Sequence, residues 1–155
     1  MIAVDNAEAM LARCRELHAG QDIDWCCADI REIEIEDASL VVLNLTLQFI
    51  DPRQRAALLA RIHRGLRPGG ALVLTEKIRY ADPALQRRMT ALYEAFKKTQ
   101  GYSDLEISQK RAALERVLVP DTEETHLQRL RAAGFSEIDE CFRGLLFVSW
   151  LAVKA

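Results

Sequence analysis

Ile2-Ala3-Val4-Asp5-Asn6 is a short apolar run that closes on an acid, and Ile23 to Asp29 repeats the plan. Each reads as a buried strand with a carboxylate at its C-terminal end. Between them Asn6 is placed to cap a helix running to about His18. Met10, Leu11, Cys14 and Leu17 lie on one face of that helix, and Gly20 is its stop. In a nucleoside-binding α/β sheet, carboxylates at strand ends accept hydrogen bonds from ribose hydroxyls and from the adenine edge. The glycine-rich turn expected about 20 residues before such an acid is not part of this sequence.

The alternation continues outward. Leu40-Val41-Val42-Leu43-Asn44-Leu45 is a continuous apolar run, the pattern of a strand covered on both faces. Asp51-Pro52 supplies an N-cap and a first-turn proline for a helix that carries Leu58, Leu59, Ile62 and Leu66 inward. Arg67-Pro68-Gly69-Gly70 breaks it, and Ala71 to Glu76 forms the next buried strand. Strand–helix alternation of this kind implies parallel strands joined by right-handed crossovers.

The middle of the chain departs from that rhythm. Asp82-Pro83 opens a helix with Leu85, Met89, Leu92, Tyr93 and Phe96, ending near Gly101. Ser103-Asp104-Leu105-Glu106 is a capping box for a further helix to about Leu118. Residues 78–120 therefore read as a helical insertion, placed as a lid or a subunit contact, within one domain spanning residues 1–155. Asp121-x-x-Glu124 begins a last helix closed by Gly134. Two strands follow, about Glu137–Phe142 and Phe147–Val153, suited to an antiparallel edge pair.

Composition narrows the function classes. At 155 residues, 50% hydrophobic and 28% charged, the chain fits one soluble globular domain. The net charge of −2 offers no basic face for phosphates, so direct nucleic-acid binding is not expected. The densest basic run, Arg61-Ile62-His63-Arg64 with Arg67, falls at a helix end, where cations complement the dipole. No apolar run approaches the ~20 residues of a membrane span, and no signal segment opens the chain. Cys14, Cys26, Cys27 and Cys141 show neither a C-x-x-C pair nor metal-ligand spacing. They read as reduced core thiols of a cytoplasmic protein.

The candidate ligands are few. Taken singly, Asp5 reads as a plain turn or cap acid, and Asp29 as another strand-terminal acid. In a cofactor site, Asp5 would accept from a ribose, Asp29 would accept from an adenine amino group, and the backbone amide after it, that of Ile30, would donate to a ring nitrogen. Asn44 is an amide inside an apolar run, costing about 1–3 kcal/mol if buried unpaired, so it pairs with backbone or faces a ligand. Arg111 stands about two turns into the helix capped by Ser103. Its guanidinium is suited to clamp a carboxylate in two parallel bonds, and its plain alternative is a surface pair with Glu115 at i+4.

An acid after two successive strands, a polar residue after the third and Pro-Gly-Gly before the fourth together resemble a class I S-adenosylmethionine-dependent methyltransferase fold: a mostly parallel α/β sheet with a helical insertion and a C-terminal antiparallel edge pair, here lacking its first strand. The resemblance narrows on particular stretches. Val4-Asp5-Asn6, Ala28-Asp29-Ile30-Arg31, Val42-Leu43-Asn44-Leu45-Thr46-Leu47-Gln48-Phe49 and Pro68-Gly69-Gly70-Ala71-Leu72-Val73-Leu74 with Glu76-Lys77 look like the carboxy-S-adenosyl-L-methionine synthase family. Gly101-Tyr102-Ser103 and Leu105-Glu106-Ile107-Ser108-Gln109-Lys110-Arg111 are its most specific part. The C-terminal Cys141 to Trp150 stretch departs from that family's ending.

This resemblance implies an enzyme of methyltransferase fold that does not methylate. It would convert S-adenosylmethionine and prephenate to carboxy-S-adenosylmethionine and phenylpyruvate. A partner enzyme then carries the carboxymethyl group to the wobble uridine of certain tRNAs. Asp5 and Asn6 would hold the ribose side, Asp29 and Ile30 would read adenine, and Asn44 would line the methionine end. The sulfonium acidifies its methyl, the resulting ylide captures carbon dioxide from prephenate, and Arg111 would grip the new carboxylate. No metal is implied, and a homodimer is. Two other readings stand beside it: an ordinary S-adenosylmethionine-dependent methyltransferase of a small acceptor, and a non-catalytic module whose middle helices dimerise.

Overall fold

The computed structural model describes residues 1–115 and 117–155, in two compact units, Met1–Glu34 and Ile35–Ala155. In the first unit, β1 (Ile2–Asp5) and β2 (Asp24–Cys27) pair in parallel, from Ile2 opposite Asp24 to Asp5 opposite Cys27. Helix α1 (Glu8–Leu17) connects them. The expected cap is displaced by one position. Ala7 holds the N-cap without a side-chain bond, and Asp5 Oδ1 accepts from the Ala7 N–H at 2.8 Å, so Asp5, not Asn6, organises the helix entry. Of the apolar face, Leu11 is buried while Met10 and Leu17 are exposed.

The second unit runs β3 (Ala38–Asn44), a 3₁₀ turn (Leu47–Phe49), α2 (Pro52–Gly65), β4 (Leu66–Lys77), α3 (Pro83–Thr99), α4 (Asp104–Leu114), α5 (Glu123–Ala133), β5 (Glu137–Gly144) and β6 (Phe147–Val153). Its sheet has the order β3-β4-β6-β5. β3 lies parallel to β4, and β6 runs antiparallel to both β4 and β5, so the C-terminal hairpin docks through β6 and leaves β5 at the edge. Leu72, Leu74, Val148, Trp150 and Ala152 from the sheet and Leu58, Leu59, Ile62 and Leu130 from the helices form the core. Burying each large apolar side chain is worth about 1.5–3 kcal/mol.

Local chemistry sets most boundaries. Asp51 accepts from the Arg53 N–H ahead of Pro52, and Asp82 from the Ala84 N–H ahead of Pro83. Ser103 and Glu106 close the capping box of α4. Gly134 ends α5 at φ +108°, where a glycine carries no Cβ penalty.

Several expectations need correction. β3 is not covered on both faces: Leu43 is buried, whereas Leu40 and Val42, one pleat period apart, are exposed. Leu66 is buried but opens β4 instead of closing α2. Thr122 caps α5, because Asp121 is engaged by arginines. Cys27 and Cys141 are exposed and Cys14 and Cys26 half-buried, so they are not core thiols. The described part of α4 ends at Leu114; its expected course through Arg116 lies outside the described residues. Among the described residues no helix is long and apolar enough to cross a membrane.

Candidate functional site

The strand ends of the first unit place Asp5 and Asp29 differently. One oxygen of Asp5 is committed to the Ala7 N–H; among the described residues the other has no bond, which leaves it for a hydroxyl. Asp29 is already engaged. Arg31 donates to it from its backbone N–H at 2.8 Å and from Nε at 2.9 and 3.0 Å. An adenine contact there would be shared with a guanidinium. Asn6 lies one residue beyond Asp5 and is exposed, and Ile30 follows Asp29 half-buried.

In the second unit Asn44 ends β3 opposite Thr75 and is exposed, so no desolvation cost attaches to its amide. The following residue, Leu45, adopts φ +56°, unusual for a branched side chain, and turns the chain into the 3₁₀ segment. Glu76 anchors that turn. Its fully buried carboxylate accepts from the Leu47 N–H at 2.6 Å and the Gln48 N–H at 3.0 Å. Burial pushes its pKa up to about 7, against the downward pull of those N–H donors and of Arg55.

Beyond this turn opens a cavity of about 660 Å³, within the size range of small-ligand sites. Leu45, Gln48 and Phe49 form one wall, Lys77 to Arg79 lie at the end of β4, α3 and α4 supply another side, and Leu118, Pro120, Leu146 and Phe147 complete the lining. Arg111 lines it; Asn44 does not. Five cations (Lys77, Arg79, Lys97, Lys110, Arg111) face two carboxylates (Glu94, Glu115). Arg111 is not paired with Glu115. Its guanidinium crosses from α4 to Glu94 on α3.

The ring of Tyr93 stands edge-on to Phe147, with centroids 5.3 Å apart. Lys97 Nζ lies 4.4 Å and Lys77 Nζ 5.8 Å from its centroid. Burial, followed by the charges of Lys97 and Arg111, holds the Lys77 ammonium below the ordinary lysine range. Burial and then Lys110 do the same to Lys97. Lys77, Tyr93 and Lys97 were not singled out as ligands in the sequence. The available signal was Gln86, Thr90, Tyr93 and Lys97, a polar stripe at helical spacing along an otherwise amphipathic helix.

One buried side chain fastens two walls together. Arg55 donates through Nε to the Ile50 carbonyl at 2.9 Å, through Nη2 to the Gln48 carbonyl at 3.3 Å and through Nη1 to Asp121 Oδ2 at 2.6 Å. Asp121 also receives Arg129 at 2.9 Å, and its carbonyl accepts the Arg79 N–H. Burial raises the Asp121 pKa, but the two arginines outweigh it and the carboxyl stays below the usual range. Beneath, His126 stacks on Trp150 at 5.2 Å with neither ring nitrogen bonded, and burial pushes its pKa down to about 4.

A family model described as Methyltransferase domain matches residues 1–70. Among solved structures, an O-methyltransferase family 2 protein from Planctomyces limnophilus, in complex with apigenin, superposes with a TM-score of 0.69 at 19% identity, over 99% of this chain and 42% of that one. Human N-acetylserotonin methyltransferase, in complex with S-adenosylmethionine, gives 0.65 at 18% identity, over 99% and 40%. The fold is therefore that of the class I S-adenosylmethionine-dependent methyltransferases. At the level of sequence the chain is 52% identical over 158 residues to a carboxy-S-adenosyl-L-methionine synthase of Shewanella baltica, and 54% identical over 159 residues to that of Geobacter metallireducens. Both matches take in 99% of this chain, which is similar along that whole length to proteins named carboxy-S-adenosyl-L-methionine synthase. The chain spans 65% of the length of these curated relatives.

Proposed function

We propose that this protein converts S-adenosylmethionine and prephenate to carboxy-S-adenosylmethionine and phenylpyruvate. The observation that carries the proposal is Arg111, whose guanidinium lines the cavity at a position that matches the carboxylate-gripping arginine of the family resemblance. A charge-assisted bidentate contact is worth roughly 1.5–3 kcal/mol, or about 10- to 150-fold in favour of a ligand with an extra carboxylate. Asp5, through its uncommitted oxygen, and Asn6 hold the ribose. Asp29 and Ile30 read adenine, and Asn44 faces the methionine end.

The overall reaction balances without metal or oxidant. Prephenate loses its ring carboxyl as carbon dioxide and its ring hydroxyl as hydroxide. The sulfonium methyl gives up a proton and bonds to the carbon dioxide, and that proton with the hydroxide makes water. The chain's own task is to hold both partners and to compensate the new carboxylate through Arg111. A cytoplasmic homodimer fits this role, and the exposed Leu92 and Phe96 on α3 with Leu105 on α4 offer it an apolar surface. The product would then serve a separate enzyme that modifies tRNA wobble uridine.

Incubation with S-adenosylmethionine and prephenate, followed by mass spectrometry, tests the proposal. A cofactor heavier by one carboxyl group is expected, with phenylpyruvate in equal amount. Methylation of a small acceptor with no carboxylated cofactor would replace this reading with an ordinary methyltransferase. A folded dimer that binds no cofactor would replace it with an interaction module.

A further inference from the structure

Two ammonium groups, Lys77 on β4 and Lys97 on α3, address one aromatic ring, that of Tyr93. Among the described residues neither has a carboxylate within ion-pair distance; the acid on that side of the cavity, Glu94, is taken by Arg111. A cation over a ring gains about 0.5–1 kcal/mol at an exposed site and up to about 2 when desolvated. Two like charges near one another in a partly buried wall lose a comparable amount. Each lysine is already disfavoured as a cation by burial and by its neighbours. Nothing in the wall relieves this arrangement, and an anion in the cavity would.

The shape of that anion follows from its surroundings. Tyr93 and Phe147 present ring faces and edges, and Leu45, Phe49, Ile107 and Leu146 are also among the lining residues. A ring-bearing body suits this surface. The five cations exceed the two carboxylates by three charges, and removing Arg111 with its partner Glu94 leaves four cations against Glu115. That surplus suits more than one carboxylate. We propose that Lys77 and Lys97, set about Tyr93, bind the carboxylates of the second substrate, and that the site selects a cyclic dicarboxylate over a monocarboxylate.

This assignment rests on the proposed synthase function and deepens it. Within that reaction the substrate prephenate carries two carboxylates and the product phenylpyruvate one, so the same pair of lysines would hold the substrate and release the product. Arg111 is left for the carboxylate formed on the cofactor. The two arginine and lysine roles are separable, because Arg111 is held on α4 while Lys77 and Lys97 come from β4 and α3.

The test is calorimetric titration of prephenate and of phenylpyruvate into the wild-type protein and into Lys77→Met, Lys97→Met and Lys97→Arg, with S-adenosylmethionine titrated in parallel. Wild type is expected to bind prephenate at least about 10-fold more tightly than phenylpyruvate. Either methionine variant should lose about 10-fold or more toward prephenate, Lys97→Arg should retain most of it, and S-adenosylmethionine should bind all four proteins alike. Lys97 is half-buried at the rim of α3 and outside the apolar core, so its variants are expected to keep the fold, as circular dichroism would verify if Lys77→Met does not. Unchanged prephenate affinity in a folded Lys97→Met protein overturns the proposal. So does an equal loss for prephenate and phenylpyruvate, which would reduce the lysines to a general electrostatic background. Binding through the lysines without formation of carboxylated cofactor would uphold this site and sink the synthase reading. Turnover with an unchanged KM for prephenate in the variants would do the reverse.

Discussion

Arg111 and Glu94 form an ion pair between α4 and α3, so the guanidinium assigned to the new carboxylate already faces a protein carboxylate. The pair is partly exposed, and such pairs contribute about 0.2–1 kcal/mol. A ligand carboxylate therefore competes with Glu94 at small cost. Glu94→Gln removes the competitor while keeping the side chain's size. Affinity for carboxy-S-adenosylmethionine should rise up to about 5-fold, and affinity for S-adenosylmethionine should stay level. A drop in both, measured by calorimetry, would mean that Glu94 positions Arg111 and does not compete for it.

Arg111→Ala gives the complementary result. Loss of about 10-fold or more for the carboxylated cofactor is expected, with unmodified S-adenosylmethionine spared. Equal losses for the two ligands would remove Arg111 from its assigned role.

Glu76 predicts an unusual pH slope. Its folded-state pKa of about 7 lies above its ordinary 4.5, so the native state keeps this proton where the unfolded chain has released it. The stability it confers is fully present below about pH 4.5 and is lost as pH rises through about 7, a change on the order of 3 kcal/mol. Urea unfolding of wild type and Glu76→Gln across this range should show the gap between them narrowing as pH rises. A gap independent of pH contradicts the assignment.

His126 runs the other way. Its folded-state pKa of about 4 is below the ordinary 6.5, so the unfolded state takes up the proton first as pH falls. Stability is complete above about pH 6.5 and is lost as the solution is acidified toward pH 4. Neither ring nitrogen has a bond to lose, so His126→Phe should fold normally at neutral pH. It should outlast wild type in acid, with the largest difference near the bottom of that window. Identical acid-unfolding midpoints for the two proteins would show that His126 is not the group responsible.

Gly65 ends α2 against the backbone of Ile35; a Cβ there would stand 2.1 Å from the Ile35 carbonyl oxygen. Gly65→Ala should cost about 1–3 kcal/mol or more through forced backbone displacement. Thermal unfolding reads this directly, and a melting point like that of wild type would show that the backbone yields freely.

What could be read in the sequence was mostly what neighbouring residues decide among themselves. Asp51-Pro52, Asp82-Pro83, the Ser103 and Glu106 box and Gly134 act within one turn of chain, and each boundary falls where it was expected. The Asp121-x-x-Glu124 spacing puts the start of the last helix too early, because the partners of Asp121, Arg55 and Arg129, are a tertiary matter and Thr122 is the cap. Hydropathy alone could not tell that Leu40 and Val42 would be exposed while Leu43 is buried, since all three are equally apolar. Arg111 stood out by its motif, but its pairing with Glu94 and the meeting of Lys77 with Lys97 about Tyr93 depend on how α3 and α4 pack beside β4. No spacing rule in the sequence encodes those distances.

The guanidinium of Arg55 touches both the stretch at 48–50 and the carboxylate of Asp121, and the Val119 N–H reaches the Gln48 carbonyl at 3.0 Å beside it. The walls on that side are therefore riveted through the protein's interior by Arg55 and stitched beside it by the Val119 bond. Arg55 is not among the residues that line the cavity. On the α3 and α4 side two exposed or partly exposed ion pairs bridge the helices, Lys98 with Asp104 and Arg111 with Glu94, and the second is one that a ligand carboxylate would compete for. The molecule thus has a jaw and an anvil, and amide exchange at Val119 should be as slow as that of the core while the first turns of α4 exchange freely.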